Sequence, residues 1–289
     1  VIFFIAPGGR TGNLLFQLAY IESIRRPGEL VLCAKLRGTQ KLFLPPGRRY
    51  LNTDFKPIVK LLDKFLVPWF GRFLKRTKLG TVVWERQGHW RVTRGHLPIT
   101  WIDGYFQSPP NAAPELRIPL EAMATAESIV QGCPGGFVPV FVHVRRTDYE
   151  AYIVDNLVRP LLPECYYRDA LDAWKNRNPN SRPWVLFVGD SPDWCEVRFA
   201  DVQPQRVLRN SPLVDLALMS QCSGGVVSNS TFAWWGFWFL RKNHPGDVIG
   251  PRFWLGWPIQ RWMPTSLEDC GLHFIEVVPE PLATSGDSP

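Results

Sequence analysis

The chain has 289 residues, enough for one large or two medium domains, and its 45% apolar content excludes wholesale disorder. Lysine and arginine total 33 against 26 acids, a formal net charge of +7 that favours an anionic partner such as a nucleotide, nucleic acid or anionic lipid without choosing among them. The six cysteines form no Cys-x-x-Cys pair, which argues against zinc and dithiol redox chemistry, and no run of about 20 apolar residues spans a bilayer.

In chain order, Val1 to Ile5 reads as a short apolar strand, too short for an anchor or signal sequence. Pro7 to Gly12 is a glycine turn, and from Asn13 the spacing of Leu14, Leu15, Leu18 and Ala19 predicts a helix. Strand, glycine loop and helix in that order aim backbone amides at an anion, although the spacing is neither the dinucleotide fingerprint nor a P-loop. Leu30 to Ala34 reads as a strand. Pro57 to Arg76 is a basic amphipathic segment broken by Pro68 and Gly71, with Leu61, Leu62, Phe65 and Leu66 as its apolar stripe. Lys60, Lys64, Arg72, Lys75 and Arg76 then form a solvated face. Pro134-Gly135-Gly136 reads as a hinge, so residues 1–135 are expected as one domain, 136–280 as a second, and 281–289 as a loose tail.

The second half alternates regularly. Val138 to Val144 reads as a buried strand, Tyr166 to Lys175 as a helix, Trp184 to Val188 as a strand, Pro212 to Cys222 as a helix, and Gly225 to Ser228 as a strand. Alternating β and α elements imply a doubly wound parallel sheet. The strands end in His143-Val144-Arg145-Arg146, Gly189-Asp190-Ser191 and Ser228-Asn229-Ser230-Thr231, and right-handed crossovers bring those ends to one sheet edge, where ligands collect. Two guanidiniums can fork onto a pyrophosphate while Asp148 orients one of them; the alternative is a structural ion pair at a strand end. Thirteen tryptophans serve mainly the core, with some rings available to a sugar or base.

Taken as a set, Gly8-Gly9-Arg10-Thr11-Gly12-Asn13, Gly104-Tyr105-Phe106-Gln107-Ser108, His143-Val144-Arg145-Arg146-Thr147-Asp148-Tyr149, Asp215 to Cys222 and Ser228-Asn229-Ser230-Thr231-Phe232-Ala233-Trp234-Trp235-Gly236 resemble, in order, the galactoside 2-alpha-L-fucosyltransferases. The resemblance implies an α/β, GT-B-like fold of two Rossmann-type domains with parallel sheets facing a cleft, the first on the acceptor side and the second binding GDP-fucose. It implies an inverting transfer of L-fucose from GDP-β-L-fucose to the 2-hydroxyl of a terminal galactose on a glycan acceptor. Arg145 and Asn13 are then catalytic, Arg145 on the β-phosphate and Asn13 near the reacting sugar. His143, Arg145, Arg146, Asp148, Asp190, Asn229, Ser230 and Thr231 bind the donor, with Asp190 on the guanine or ribose and Ser230 and Thr231 on the pyrophosphate. No Asp-x-Asp triplet occurs, so no metal or other cofactor is expected, and no residue is assigned as general base.

Thr147 stands where this family usually has glycine, a feature shared with alpha-6-fucosyltransferases. An alpha-6 or protein O-fucosyltransferase, or a noncatalytic nucleotide-sugar or glycan-binding protein of the same fold, is therefore the alternative. No nucleic-acid partner is expected. Membrane association is expected only through an upstream N-terminal anchor, giving a lumenal Golgi domain in an animal and a cytoplasmic enzyme in a bacterium. Asn229-Ser230-Thr231 is also a glycosylation sequon, expected to stay unmodified because it lines the ligand site.

Overall fold

The computed structural model describes residues 2–4, 10–33, 43–44, 50–52, 67–86, 89–108, 116–154 and 158–279. The glycine loop at 7–9, the apolar stripe at 61–66 and the tail at 281–289 lie outside the described residues. The chain divides into two compact units, Val1–Leu120 with Pro264–Cys270, and Glu121–Met263 with Gly271–Pro289. The division falls upstream of the Pro134–Gly136 turn. The helix between them, Leu120–Gln131, is tied to the second unit by the Gln221 side-chain amide, which donates to the Met123 carbonyl at 3.0 Å.

The first unit contains β1 (Ile2–Phe4), α1 (Thr11–Ile24), β2 (Val31–Cys33), β3 (Tyr50–Asn52), α2 (Val67–Thr77), β4 (Thr81–Arg86), β5 (His89–Thr93) and β6 (Thr100–Asp103). Its sheet runs β3-β2-β1-β6-β4-β5, parallel except for the β4–β5 pair. Leu14, Leu15, Phe16, Leu18, Ala19 and Ile21 of α1 are all buried, so this helix has no solvated polar face and behaves as an internal element. α2 begins at Val67, beside the break expected at Pro68, and departs from expectation by running through Gly71. Pro68 sits in the first helical turn, where its missing N–H has no intrahelical acceptor to lose. At Gly71 the Trp101 indole packs so close that a Cβ would lie 3.0 Å from it. Phe70 and Leu74 complete this contact against Val82, Trp101 and Ile99.

The second unit contains α3 (Leu120–Gln131), β7 (Val138–Val144), α4 (Glu164–Arg177), β8 (Pro183–Gly189), α5 (Pro192–Arg198), β9 (Gln205–Val207), α6 (Pro212–Met219), β10 (Gly224–Val226), α7 (Thr231–Asn243), β11 (Val248–Pro251) and β12 (His273–Ile275). All six strands are parallel, in the order β9-β8-β7-β10-β11-β12. Numbered within the unit this is 3-2-1-4-5-6, the Rossmann order, with its topological switch between β7 and β10. β7 and β8 are apolar through their centres because helices cover both faces of a doubly wound sheet. Val140, Val142, Val144, Tyr166, Leu171, Trp174, Val185 and Phe187 form one buried cluster, and the Trp174 indole donates to the Asp247 carbonyl at 3.0 Å. Each unit is thus a Rossmann-type α/β layer structure, as the resemblance implied. Cys133, Cys195 and Cys222 are not in disulfides.

Candidate functional site

The switch point of the second sheet is where its strands diverge, and it is walled by the segments leaving β7 and β10. His143, one residue before the end of β7, is 3% exposed, and its Nδ1 lies 2.9 Å from the Ser228 hydroxyl beyond β10. Burial, reinforced by the neighbouring Arg145 charge, lowers the His143 pKa to about 4, so its imidazole is neutral at physiological pH. It fixes the two lips of the switch point to each other.

Arg145 is gripped by Asp148 in a bidentate pair, Nε to Oδ1 at 3.0 Å and Nη2 to Oδ2 at 2.7 Å, and its guanidinium lies 5.1 Å from the Tyr149 ring centroid. A guanidinium has five N–H donors, and two of them are used here. The other three stay on a side chain that is 12% exposed, oriented in advance by the clamp. Tyr149 in turn donates its hydroxyl to the Asn229 carbonyl at 3.1 Å, a second tie between the β7 and β10 loops.

Asp190 holds the arginine loop from below. Its Oδ1 accepts the Arg146 backbone N–H at 2.8 Å and the Ser191 hydroxyl at 3.0 Å, while its Oδ2 accepts the Thr147 hydroxyl at 2.7 Å. Burial alone would raise its pKa, but these bonds and the Arg145 charge outweigh that and hold the carboxyl below the ordinary value. The geometry also accounts for Thr147: its hydroxyl supplies a bond to Asp190 that a glycine lacks. Gly189 makes the turn, with φ +127° and so little room that a Cβ would sit 2.0 Å from the Val144 carbonyl oxygen.

Arg146 points elsewhere, its guanidinium 4.3 Å from the Trp194 ring centroid and its Nε 3.7 Å from Glu150. On the β10 side, Ser230 caps α7 by accepting the Phe232 N–H at 3.3 Å, and Thr231 opens the helix, whose positive end faces the switch point. Asn229 is 1% exposed, its Nδ2 donating to the Pro160 carbonyl at 2.6 Å, while its buried Oδ1 has no partner among the described residues.

The second unit therefore brings together His143, Arg145, Asp148, Asp190, Asn229, Ser230 and Thr231, with Arg146 joined to them through its backbone N–H alone. Asn13 belongs to the first unit, in the opening turn of α1. There its Oδ1 accepts from the Gln107 side-chain amide at 2.9 Å, bridging the segments that follow β1 and β6 at that sheet's own switch. Gln17 donates to the Gly104 carbonyl at 2.8 Å, and the buried Glu85 carboxylate accepts the N–H groups of Tyr105 at 3.0 Å and Phe106 at 2.6 Å.

Sequence reasoning missed four residues here: Gln107, Glu85, Trp194 and Asp215. Gln107 and Asp215 lay within motifs already singled out, and only the fold shows what they touch. Asp215, in the first turn of α6, is 5% exposed and accepts from the Asn210 side-chain amide at 3.2 Å. Burial raises its pKa to about 7, the bonds from Asn210 and the Gly189 backbone offsetting part of the effect.

Residues 128–245, which hold most of this constellation, match the profile of "Glycosyl transferase family 11". Over 85% of the chain it is 28% identical to an "Alpha-1,2-colitosyltransferase" of Escherichia coli, covering 90% of that protein. Over 81% of the chain it is 23% identical to "Galactoside alpha-(1,2)-fucosyltransferase 1" of Oryctolagus cuniculus, and there it spans 63% of the relative's length. Among solved structures, "E. coli ADP-heptose lps heptosyltransferase II" aligns over 96% of this chain and 91% of its own at TM-score 0.52 and 11% identity, a likeness of GT-B-like fold alone. Residues 128–245 thus match glycosyl transferase family 11, and over most of its length the chain is similar to an alpha-1,2-colitosyltransferase and to galactoside alpha-1,2-fucosyltransferases.

Proposed function

We propose that the protein transfers L-fucose from GDP-β-L-fucose to the 2-hydroxyl of a galactose on a glycan, with inversion at the anomeric carbon and without a metal ion. The observation that carries this is the Arg145–Asp148 clamp beside the N-terminus of α7 at the switch point. In the reaction the acceptor O2 bonds to the anomeric carbon as the bond from that carbon to the β-phosphate oxygen breaks. The acceptor proton passes to a base that we leave unassigned, and negative charge collects on the departing diphosphate. Arg145 meets that charge with donors already oriented, and the start of α7 adds backbone N–H groups. A preorganised donor of this kind contributes about 3–4 kcal/mol to lowering a barrier. Neutral His143 then serves position rather than charge, keeping the two loops that carry these groups in register.

The relatives' names agree on an alpha-1,2 linkage and differ in the sugar moved, so support for the linkage is broader than support for fucose. A colitosyl donor is the second reading, favoured by the E. coli relative that covers most of both chains. Incubating the purified chain with lactose and either GDP-fucose or GDP-colitose in excess chelator separates the two. Transfer to the galactose 2-position in chelator supports the proposal; strict dependence on added magnesium or manganese defeats the metal-free mechanism.

A further inference from the structure

A second charged surface lies far from the switch-point chemistry in kind. Trp69 is 59% exposed and Phe73 is 37% exposed on the outer side of α2, one turn apart and stacked with centroids at 5.4 Å. Just beyond the helix, Leu79 at 38% and Leu97 at 45% are also exposed, joined by the Leu97 N–H to the Leu79 carbonyl at 2.7 Å. Interleaved with them are Arg72, Lys75, Arg76, Lys78 and Arg94, all exposed. Trp69 and Arg76 are seven residues apart and lie on one line of the helix. Between residues 67 and 98 the sequence has a single acid, Glu85, and that carboxylate is buried and bonded to the Tyr105 and Phe106 N–H groups.

In the second unit Arg168, Arg177, Arg209 and Arg252 are paired with Asp201, Asp247, Asp193 and Glu276, while the exposed Arg159, Arg206, Arg241 and Arg261 have no ion pair with a described residue and are scattered along the chain rather than clustered. None of the five cations around α2 has an ion pair with a described residue. Clustered exposed cations next to exposed tryptophan, phenylalanine and leucine, in a stretch whose single acid is buried, match the chemistry of an anionic lipid surface. The ammonium and guanidinium groups meet headgroup phosphates while the rings enter the boundary of the acyl chains. A polyanionic strand would satisfy the cations but leave Leu79 and Leu97 in water.

We propose that α2 and the adjoining turns at Lys78–Leu79 and Arg94–Leu97 form a peripheral docking face for anionic membranes. This stands apart from the reading of the donor site. The test is cosedimentation of the full chain with vesicles of phosphatidylcholine alone or with about one quarter phosphatidylglycerol. The wild type is compared with W69S/F73S and R72E/R76E, all four positions being exposed, with folding checked by circular dichroism. Binding is expected to be at least about tenfold tighter on the anionic vesicles and to fall at least about tenfold in each double variant. Turnover of soluble substrates should be unchanged. No binding to anionic vesicles, binding retained by either folded variant, or tighter binding to a single-stranded RNA than to vesicles overturns the proposal.

Discussion

At the scale of single residues, the account rests on Arg145 and the groups that orient it. Arg145→Lys keeps the charge but loses the fork that holds both Asp148 oxygens and still presents further donors. Transfer should fall by about 10²–10³-fold in kcat/KM, measured by initial rates with varied donor, and a near-normal rate would remove Arg145 from the phosphate. Asp215 allows a pH test. Unfolded, it titrates near 3.8, whereas in the folded chain it is raised to about 7. Between those values the native state holds a proton that the unfolded chain has released, so this group's contribution to stability declines as pH rises and levels off above about 7. Asp215→Asn abolishes that slope. Urea denaturation at several pH values between about 5 and 8 should show the variant gaining on the wild type as pH rises, and a gap independent of pH would contradict the assignment. Asn229, buried and committed to the Pro160 carbonyl, cannot present its amide to a glycosyl donor once folded. Peptide mapping of active protein from a glycosylating host should find it unoccupied.

At the scale of elements, the strand-to-loop junctions decide whether the site exists. Gly189→Ala would force a Cβ against the Val144 carbonyl oxygen at a φ that L residues rarely adopt, and Asp190 follows immediately. The expected cost is about 2 kcal/mol or more, read as a lower urea midpoint, with donor affinity falling alongside because Asp190 no longer supports the arginine loop. Loss of stability with unchanged donor affinity would show that Asp190 does not position that loop. β7 and β8 were legible because they are continuous apolar runs that end in polar groups. α2 was misread at Gly71 because residue type alone does not reveal that the glycine seats an indole. The β4–β5 hairpin was missed because only its second strand, His89–Thr93, alternates in period two, and β9, β11 and β12 are too short for any periodicity to register.

At the scale of the molecule, the two six-stranded sheets and the order of the second are what turn scattered motifs into a site. Convergence of His143, Arg145, Asp190 and Ser230 could be argued from sequence because parallel strands with right-handed crossovers deliver their ends to one edge. The internal bonds could not: that Asp190 spends its oxygens on Arg146, Thr147 and Ser191 depends on backbone geometry beyond any motif. Nor does sequence show that Arg146 rests on Trp194 while Arg145 keeps donors available. The most direct test of the whole account is incubation of the purified chain with GDP-fucose and lactose in excess chelator, followed by linkage analysis of the product. The account predicts fucose on the galactose 2-position. Donor binding without transfer, with metal restored and acceptors varied, would contradict it and leave a nucleotide-sugar-binding protein of the same fold.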